Sequence, residues 1–154
     1  MFRAPRFITH AALSSALLLA PVIAQADGHD VVRLGDLEMH CVAQSTAALT
    51  PEAAHNFNVT RAPDRGLLTI ALFRHTGQGQ TETQAGQVFA GAINQGNTLT
   101  NIPVREVRQG PAVYYLGEFR LQPPDSLRFL INAHVGDKTL KANFKHDFNP
   151  IAAP

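Results

Sequence analysis

The segment EMHC, residues 38–41, places a methionine, a histidine and the chain's single cysteine at consecutive positions. Sulfur and imidazole are donors that Cu(I) and Zn²⁺ accept, and a thiolate paired with an imidazole is also a catalytic dyad. The segment therefore allows three interpretations: a soft-metal site, a nucleophilic thiol, or a strand whose core face carries sulfur. The element that positions these residues decides among them.

Alternation along residues 37–44 predicts a strand with one apolar face. Side chains two apart on a strand share a face, so Leu37, Met39, Cys41 and Ala43 point one way and His40 points the other. The first set is wholly apolar and predicts the core face. We therefore expect Cys41 to be a buried, inert thiol that behaves as a small hydrophobic residue.

A copper-binding or copper-handling module is the alternative hypothesis. Met39 and Cys41 lie about 7 Å apart along the predicted strand. His146 has the same phase as the apolar residues of the last predicted strand and is the best third ligand. Soft sulfur with imidazole favours Cu(I). The sequence has no H-x-H or C-x-x-C pair to strengthen this set of ligands.

No catalytic motif accompanies these residues. The sequence has no G-x-S-x-G elbow and no H-E-x-x-H helix. Ser45 and Ser126 are the only serines after residue 26, and neither has a recognisable nucleophile context. We expect a protein that is not an enzyme and needs no cofactor.

Two arginines around the turn RAPDR are candidate contacts for a ligand or partner. Arg61 and Arg65 stand at the predicted entrance to a strand. The structural alternative is that each caps carbonyls or pairs with an acid such as Asp64 or Glu118. Both interpretations remain open from the sequence.

The adjacent tyrosines are a second candidate contact. One of Tyr114 and Tyr115 must face the core and the other must face outward. An outward tyrosine can anchor a partner because it offers both area and a hydroxyl group. Burial beneath a helix is the competing interpretation.

The first 26 residues have the pattern of a secretory signal peptide. Arg3 and Arg6 precede a short apolar run, and AQA ends it, which predicts cleavage after Ala26. Removing two of thirteen basic residues and none of twelve acidic ones changes the formal charge from +1 to −1. We expect a single periplasmic domain, 27–154, with no basic surface for nucleic acid and no stable membrane span.

The rest of the chain repeats short apolar alternations separated by turn residues. About seven such runs predict an all-β sandwich or barrel, and Gly136-Asp137 predicts a two-residue hairpin. One segment differs: Thr50 as N-cap, Pro51 at the first helical position and Glu52 in the first turn predict a short helix after the first core strand.

Two blocks, LTPEAAHNFNVTRAPDRGLLTIAL and VREVRQGPAVYYLGEFRL, resemble the domain-of-unknown-function family 4426 of small secreted proteins from Gram-negative bacteria. The resemblance implies five family blocks: a VHYN strand, LTPEVA, an arginine-rich turn ending in NRGL, REIREG and YYIAEF. Their counterparts here are 39–43, 49–54, 61–67, 105–110 and 114–119. Cys41 stands where the family has tyrosine, and Gln109 replaces an acid. The resemblance implies an immunoglobulin-like sandwich in the periplasm and assigns no activity.

We therefore expect a non-catalytic binding or protein-interaction module that contacts another envelope protein or a small ligand. Edge strands of a sandwich can accept a partner strand. An exposed, apolar edge would favour such a role, whereas charged or covered edges would count against it.

Overall fold

A computed structural model of the protein describes residues 28–77 and 79–150; the predicted signal peptide and its cleavage site lie outside these residues. The described residues form ten strands, a 3₁₀ turn at Thr46–Ala48 and one short helix, α1, at Pro51–Asn56. The strands are β1 His29–Leu34, β2 Leu37–Ser45, β3 Arg65–His75, β4 Thr81–Thr83, β5 Gln87–Ile93, β6 Leu99–Ile102, β7 Val104–Gln109, β8 Ala112–Arg120, β9 Asp125–Val135 and β10 Lys138–Phe148.

The strands form two antiparallel sheets that pack as an immunoglobulin-like sandwich. The six-stranded sheet has the order β1-β2-β3-β8-β7, with β4 paired to β3, and the four-stranded sheet has the order β10-β9-β5-β6. The all-β prediction is confirmed. Seven strands were expected from alternation, and β1, β4 and β6 are additional because they are short or too exposed to alternate clearly.

The main core lies between the sheets, as alternation predicts. Its largest fully buried side chains include Met39, Leu72, Phe129 and Leu140. A second cluster lies on the outer face of the six-stranded sheet, where α1 covers Leu67 and Leu116. The sheet therefore buries apolar residues on both faces at this point.

Local signals form the helix and the last hairpin as expected. The Thr50 hydroxyl accepts a hydrogen bond from Ala53 N at 3.2 Å, and Pro51 occupies the first turn of α1. Gly136 has φ +61° in the two-residue loop between β9 and β10, a conformation that glycine adopts without steric cost. Both sequence predictions are confirmed.

The chain crosses from one sheet to the other at Pro103, between β6 and β7. Here Ile102 packs directly over Gly117 of β8: a Cβ on Gly117 would lie 2.5 Å from Ile102 Cγ2. β7 begins to pair with β8 at this point, with Val104 opposite Gly117. The last three residues of β8 consequently have no β7 neighbour.

Replacing Gly117 by alanine should destabilise the fold by about 1–3 kcal/mol, because the buried, β-branched Ile102 cannot move away without strain. Urea unfolding monitored by circular dichroism measures this. Gly77→Ala is the matched control, since nothing lies within 4 Å of a Cβ there. Equal stability of the two variants would show that the crossover tolerates a larger residue.

Candidate functional site

A cleft of about 720 Å³ opens at the edge of the sandwich, between the end of β8 that β7 does not cover and β6 of the other sheet. Its walls come from the start of β3, the end of β8, β6 and the turn before it, and the 122–127 segment. They are lined by Arg65, Ala92, Asn94, Gln95, Gly96, Thr100, Asn101, Ile102, Glu118, Phe119, Arg120, Gln122, Pro124, Asp125 and Leu127. The volume falls within the range typical of small-molecule sites. We call this feature the inter-sheet cleft.

Two arginines stand side by side on one wall of the inter-sheet cleft. The register of β3 and β8 places Arg65 directly opposite Arg120. Like charges opposite each other destabilise a sheet unless a counter-charge intervenes. Glu118 lies 3.6 Å from Arg65, and within the described part of the chain no acid lies within ion-pair distance of Arg120. The wall therefore offers a guanidinium group for an anion.

The remaining acid of the cleft is already engaged. Asp125 accepts hydrogen bonds from the backbone N–H groups of Gln122 and Ser126, at 3.3 and 2.9 Å. Its charge therefore stabilises the turn before β9. The apolar part of the lining consists of Ala92, Ile102, Phe119, Pro124 and Leu127.

The structure brings one of the four predicted contact residues into the cleft. Arg65 lines it and approaches Glu118, as one alternative had it. Arg61 donates a hydrogen bond from Nη2 to Ala47 O at 3.1 Å, which is the carbonyl-capping alternative.

The two tyrosines separate as the period of two requires. Tyr115 faces the core, and its hydroxyl accepts from Gly86 N at 2.8 Å and donates to Gly86 O at 2.9 Å. Tyr114 faces outward and packs edge-to-face against Phe57 at the end of α1. The outward ring of Tyr114 therefore contacts the end of the helix, in line with the competing interpretation.

The sulfur residues of EMHC face the core, as predicted. Met39 and Cys41 are both 0% exposed. Burial raises the pKa of the Cys41 thiol to about 12, and the charge of Asp30 adds to the effect. His146 has the predicted phase on β10, in the opposite sheet, where it packs against Gly28 and the ring of Phe148.

A polar cluster that the sequence did not reveal lies on the outer face of the six-stranded sheet. Glu38 is only 5% exposed, although it belongs to the outward-facing set. Its carboxylate accepts hydrogen bonds from His40 Nε2, from His75 Nε2 at 2.8 Å and from Arg33 Nε at 2.7 Å. The hydrogen bond from Arg33, followed by those from the two histidines, lowers the pKa of Glu38 to about 2.

The histidine cluster is a hydrogen-bonded arrangement. His40 and His75 approach opposite oxygens of the Glu38 carboxylate. Across residues 28–77 and 79–150, no three His, Cys, Asp or Glu side chains are arranged to hold a metal ion. The spacing of Glu38 and His40 placed them on one face, but the register that adds His75 could not be read from the sequence.

Glu38→Gln should lower the free energy of unfolding between pH 5 and pH 7, because the ionised carboxylate bonds to Arg33 and the two histidines. The folded-state pKa lies below its usual 4.5, so this stabilisation is complete above about pH 4.5 and is lost as the pH falls toward 2. Urea unfolding at a series of pH values measures the effect. The free energies of unfolding of the wild-type protein and Glu38→Gln should converge in acid. Glu82→Gln, at an exposed residue, is the control and should differ from the wild-type protein by the same small amount at every pH. A pH-independent difference in Glu38→Gln as well would contradict the assignment.

Solved structures of other bacterial proteins share the fold of this chain. The crystal structure of a DUF4426 family protein from Pseudomonas aeruginosa PAO1 is similar with a TM-score of 0.67 at 21% identity, covering 81% of this chain and 98% of that one. FetP of uropathogenic E. coli strain F11, recombinantly expressed in the periplasm, is similar with a TM-score of 0.57 at 8% identity, covering 81% and 96%.

A copper-bound variant of FetP is similar with a TM-score of 0.52 at 8% identity, covering 82% of this chain and 93% of that one. At these identities the likeness shows a shared fold. No curated protein matches the chain in sequence. The helix in the described residues is neither long nor apolar enough to cross a membrane.

The family model for the domain of unknown function DUF4426 matches residues 31–150. This match covers most of the chain, including every strand except the first two residues of β1. The protein belongs to the DUF4426 family.

Proposed function

We propose that the protein is a non-catalytic binding module of the bacterial periplasm that holds an anionic ligand in the inter-sheet cleft. The ligand is a small molecule or a segment of another envelope protein. One observation carries the proposal: Arg65 and Arg120 are directly opposite each other on the cleft wall, and Glu118 approaches only the first of them.

The chemistry of the wall favours carboxylate or phosphate. A guanidinium group presents a planar fork of N–H donors that matches either group in a bidentate way. Because the two arginines are cross-strand neighbours, an anion between them also relieves their mutual repulsion. The apolar side chains of the lining would bury the remainder of a ligand.

A role without catalysis is supported by what the candidate nucleophiles do. Cys41 is buried, with a raised pKa. The Ser45 hydroxyl accepts a hydrogen bond from Ala47 N at 3.3 Å and so caps the 3₁₀ turn. The Ser126 hydroxyl donates to Asp147 at 2.5 Å. None of the three lines the cleft.

The periplasmic location is supported by two observations of different kinds. The predicted signal peptide, 1–26, directs export. FetP, which shares the fold, was expressed in the periplasm. A soluble binding module in that compartment meets envelope proteins and imported small molecules.

Carboxylates and phosphate should raise the melting temperature of the protein, and Arg120→Gln should remove most of the rise. A ligand at one hundred times its Kd stabilises the folded state by about 2.7 kcal/mol, a shift of several degrees for a domain of this size. Differential scanning fluorimetry with acetate, succinate, citrate and phosphate, at constant ionic strength against chloride, measures it.

Arg128→Gln is the matched control for that experiment. Arg128 is an exposed arginine on β9 that does not line the cleft. If Arg120→Gln and Arg128→Gln reduce the anion-induced rise in melting temperature equally, the rise comes from nonspecific screening. The absence of any anion effect in the wild-type protein would contradict an anion site.

A copper-binding module using Met39, Cys41 and His146 is the second candidate function. The observation that favours it is the shared fold with the copper-bound FetP variant. Burial weighs against it, since a copper ion would have to enter a closed core and displace a proton from a thiol of raised pKa.

Metal analysis of protein purified from periplasm separates the two candidates. The copper hypothesis expects one copper per chain, lost in both Cys41→Ala and Met39→Leu; the second variant nearly preserves core volume. The cleft proposal expects a copper content that neither substitution changes. It also expects a Cys41 that reacts with Ellman's reagent only after unfolding in urea.

A further inference from the structure

The free edges of the two sheets differ in charge. Strand β7 carries two arginines and a glutamate, β10 carries three lysines and an aspartate, β1 carries Asp30 and Arg33 and lies beside β10, and β4 carries Glu82. Charged residues on an edge strand discourage pairing with another chain. Among the described strands, β6 is the edge strand without a charged residue or proline; its sequence is LTNI.

The unpaired backbone groups of β6 can be identified from its hairpin with β5. Asn94 N donates to Thr98 O at 3.1 Å, so Thr98 directs its backbone groups toward β5. Because successive residues of a strand direct these groups to opposite sides, Thr100 and Ile102 also bond toward β5. Leu99 and Asn101 therefore direct N–H and C=O away from the sheet.

The free edge of β6 borders the inter-sheet cleft. Thr100, Asn101 and Ile102 line one wall, and Arg65 and Arg120 stand in the same lining. Leu99, at the start of the strand, is 62% exposed, so the edge offers apolar contact as well as hydrogen bonds. An extended chain lying along β6 would have the guanidinium groups within the same cleft.

We infer that the ligand of the cleft is an extended peptide segment of a partner protein, which adds to the edge of β6 as a further strand and directs an acidic side chain to Arg65 and Arg120. This inference rests on the proposed function and specifies its ligand. Backbone hydrogen bonds to Leu99 and Asn101 supply sequence-independent affinity, and the arginine pair selects the acid. The four residues of β6 span about 13 Å, which a peptide of four to six residues matches.

A positional-scanning library of acetylated, amidated hexapeptides tests the chemistry of the ligand. The protein purified from periplasm should bind pools with Asp or Glu at one internal position more tightly than pools with Gln or Lys there. Equal binding of all pools, or binding of none, would overturn the inference.

Two substitutions at one residue test strand addition. Asn101→Pro removes the N–H on the free edge while leaving the bonds of β6 to β5 intact, whereas Asn101→Ala keeps that N–H. With the best fluorescein-labelled peptide from the library, anisotropy should show Kd rising about tenfold in Asn101→Pro and less than about threefold in Asn101→Ala. Circular dichroism and the melting temperature establish that each variant is folded.

The outcomes separate this inference from the proposed function. An unchanged Kd in Asn101→Pro, together with weaker binding in Arg120→Gln, would overturn strand addition and leave an anion site in the cleft. If neither Asn101→Pro nor Arg120→Gln weakens peptide binding, both strand addition and the anion site in the cleft are overturned. Size-exclusion chromatography with light scattering covers the other occupant: a dimer of the wild-type protein that Asn101→Pro dissociates would assign the β6 edge to a second copy of the chain.

Discussion

The contact of Ile102 with Gly117 at the sheet crossover determines how the rest of the sandwich is arranged. Because glycine has no side chain, the chain can pass closely over β8 and move from the four-stranded to the six-stranded sheet within one residue, Pro103. β7 then pairs with β8 only as far as Gly117. The residues of β8 after Gly117 have no β7 neighbour, and β6 is the last strand of its own sheet. The inter-sheet cleft opens between these two unpaired strand edges. The crossover that joins the two sheets therefore also borders the candidate site, since Ile102 belongs to both.

The polar features of the structure have different physical roles. In the histidine cluster, the Glu38 carboxylate accepts hydrogen bonds from Arg33 and two imidazole groups. These bonds link β1, β2 and β3, so the charge stabilises the sheet. In the cleft, two carboxylates balance the two arginines in formal charge, but Glu118 approaches only Arg65 and Asp125 accepts backbone N–H groups. The guanidinium group of Arg120 is therefore left without a carboxylate partner among the described residues. A saturated charge favours stability, whereas an unsaturated one favours binding. This difference is why the proposed function rests on the cleft, although the histidine cluster has more hydrogen bonds.

Sequence reasoning succeeded where the determining forces are local. Alternation placed Met39 and Cys41 on the core face, and the Thr50 cap predicted the helix at Pro51. It could not reveal that Arg65 lies opposite Arg120, because the pairing of strands 55 residues apart depends on the tertiary packing. Strand β6 was missed for a related reason: LTNI is mostly exposed and shows no alternation, so only its pairing with β5 makes it a strand. The residues that form the candidate site thus came largely from long-range register.

A map of amide chemical-shift changes tests the central claim most directly. ¹⁵N-labelled protein would be titrated with citrate at constant ionic strength. A separate titration, without oxygen, would use the diamagnetic acetonitrile complex of Cu(I), the ion that sulfur and imidazole ligands favour. The account predicts that citrate shifts saturate and concentrate at the ends of β3 and β8 and along β6, including Arg65, Asn101 and Arg120. It predicts no comparable saturable copper shifts around Met39, Cys41 and His146. Citrate shifts scattered over the surface, or a saturable copper response centred on Cys41, would contradict it.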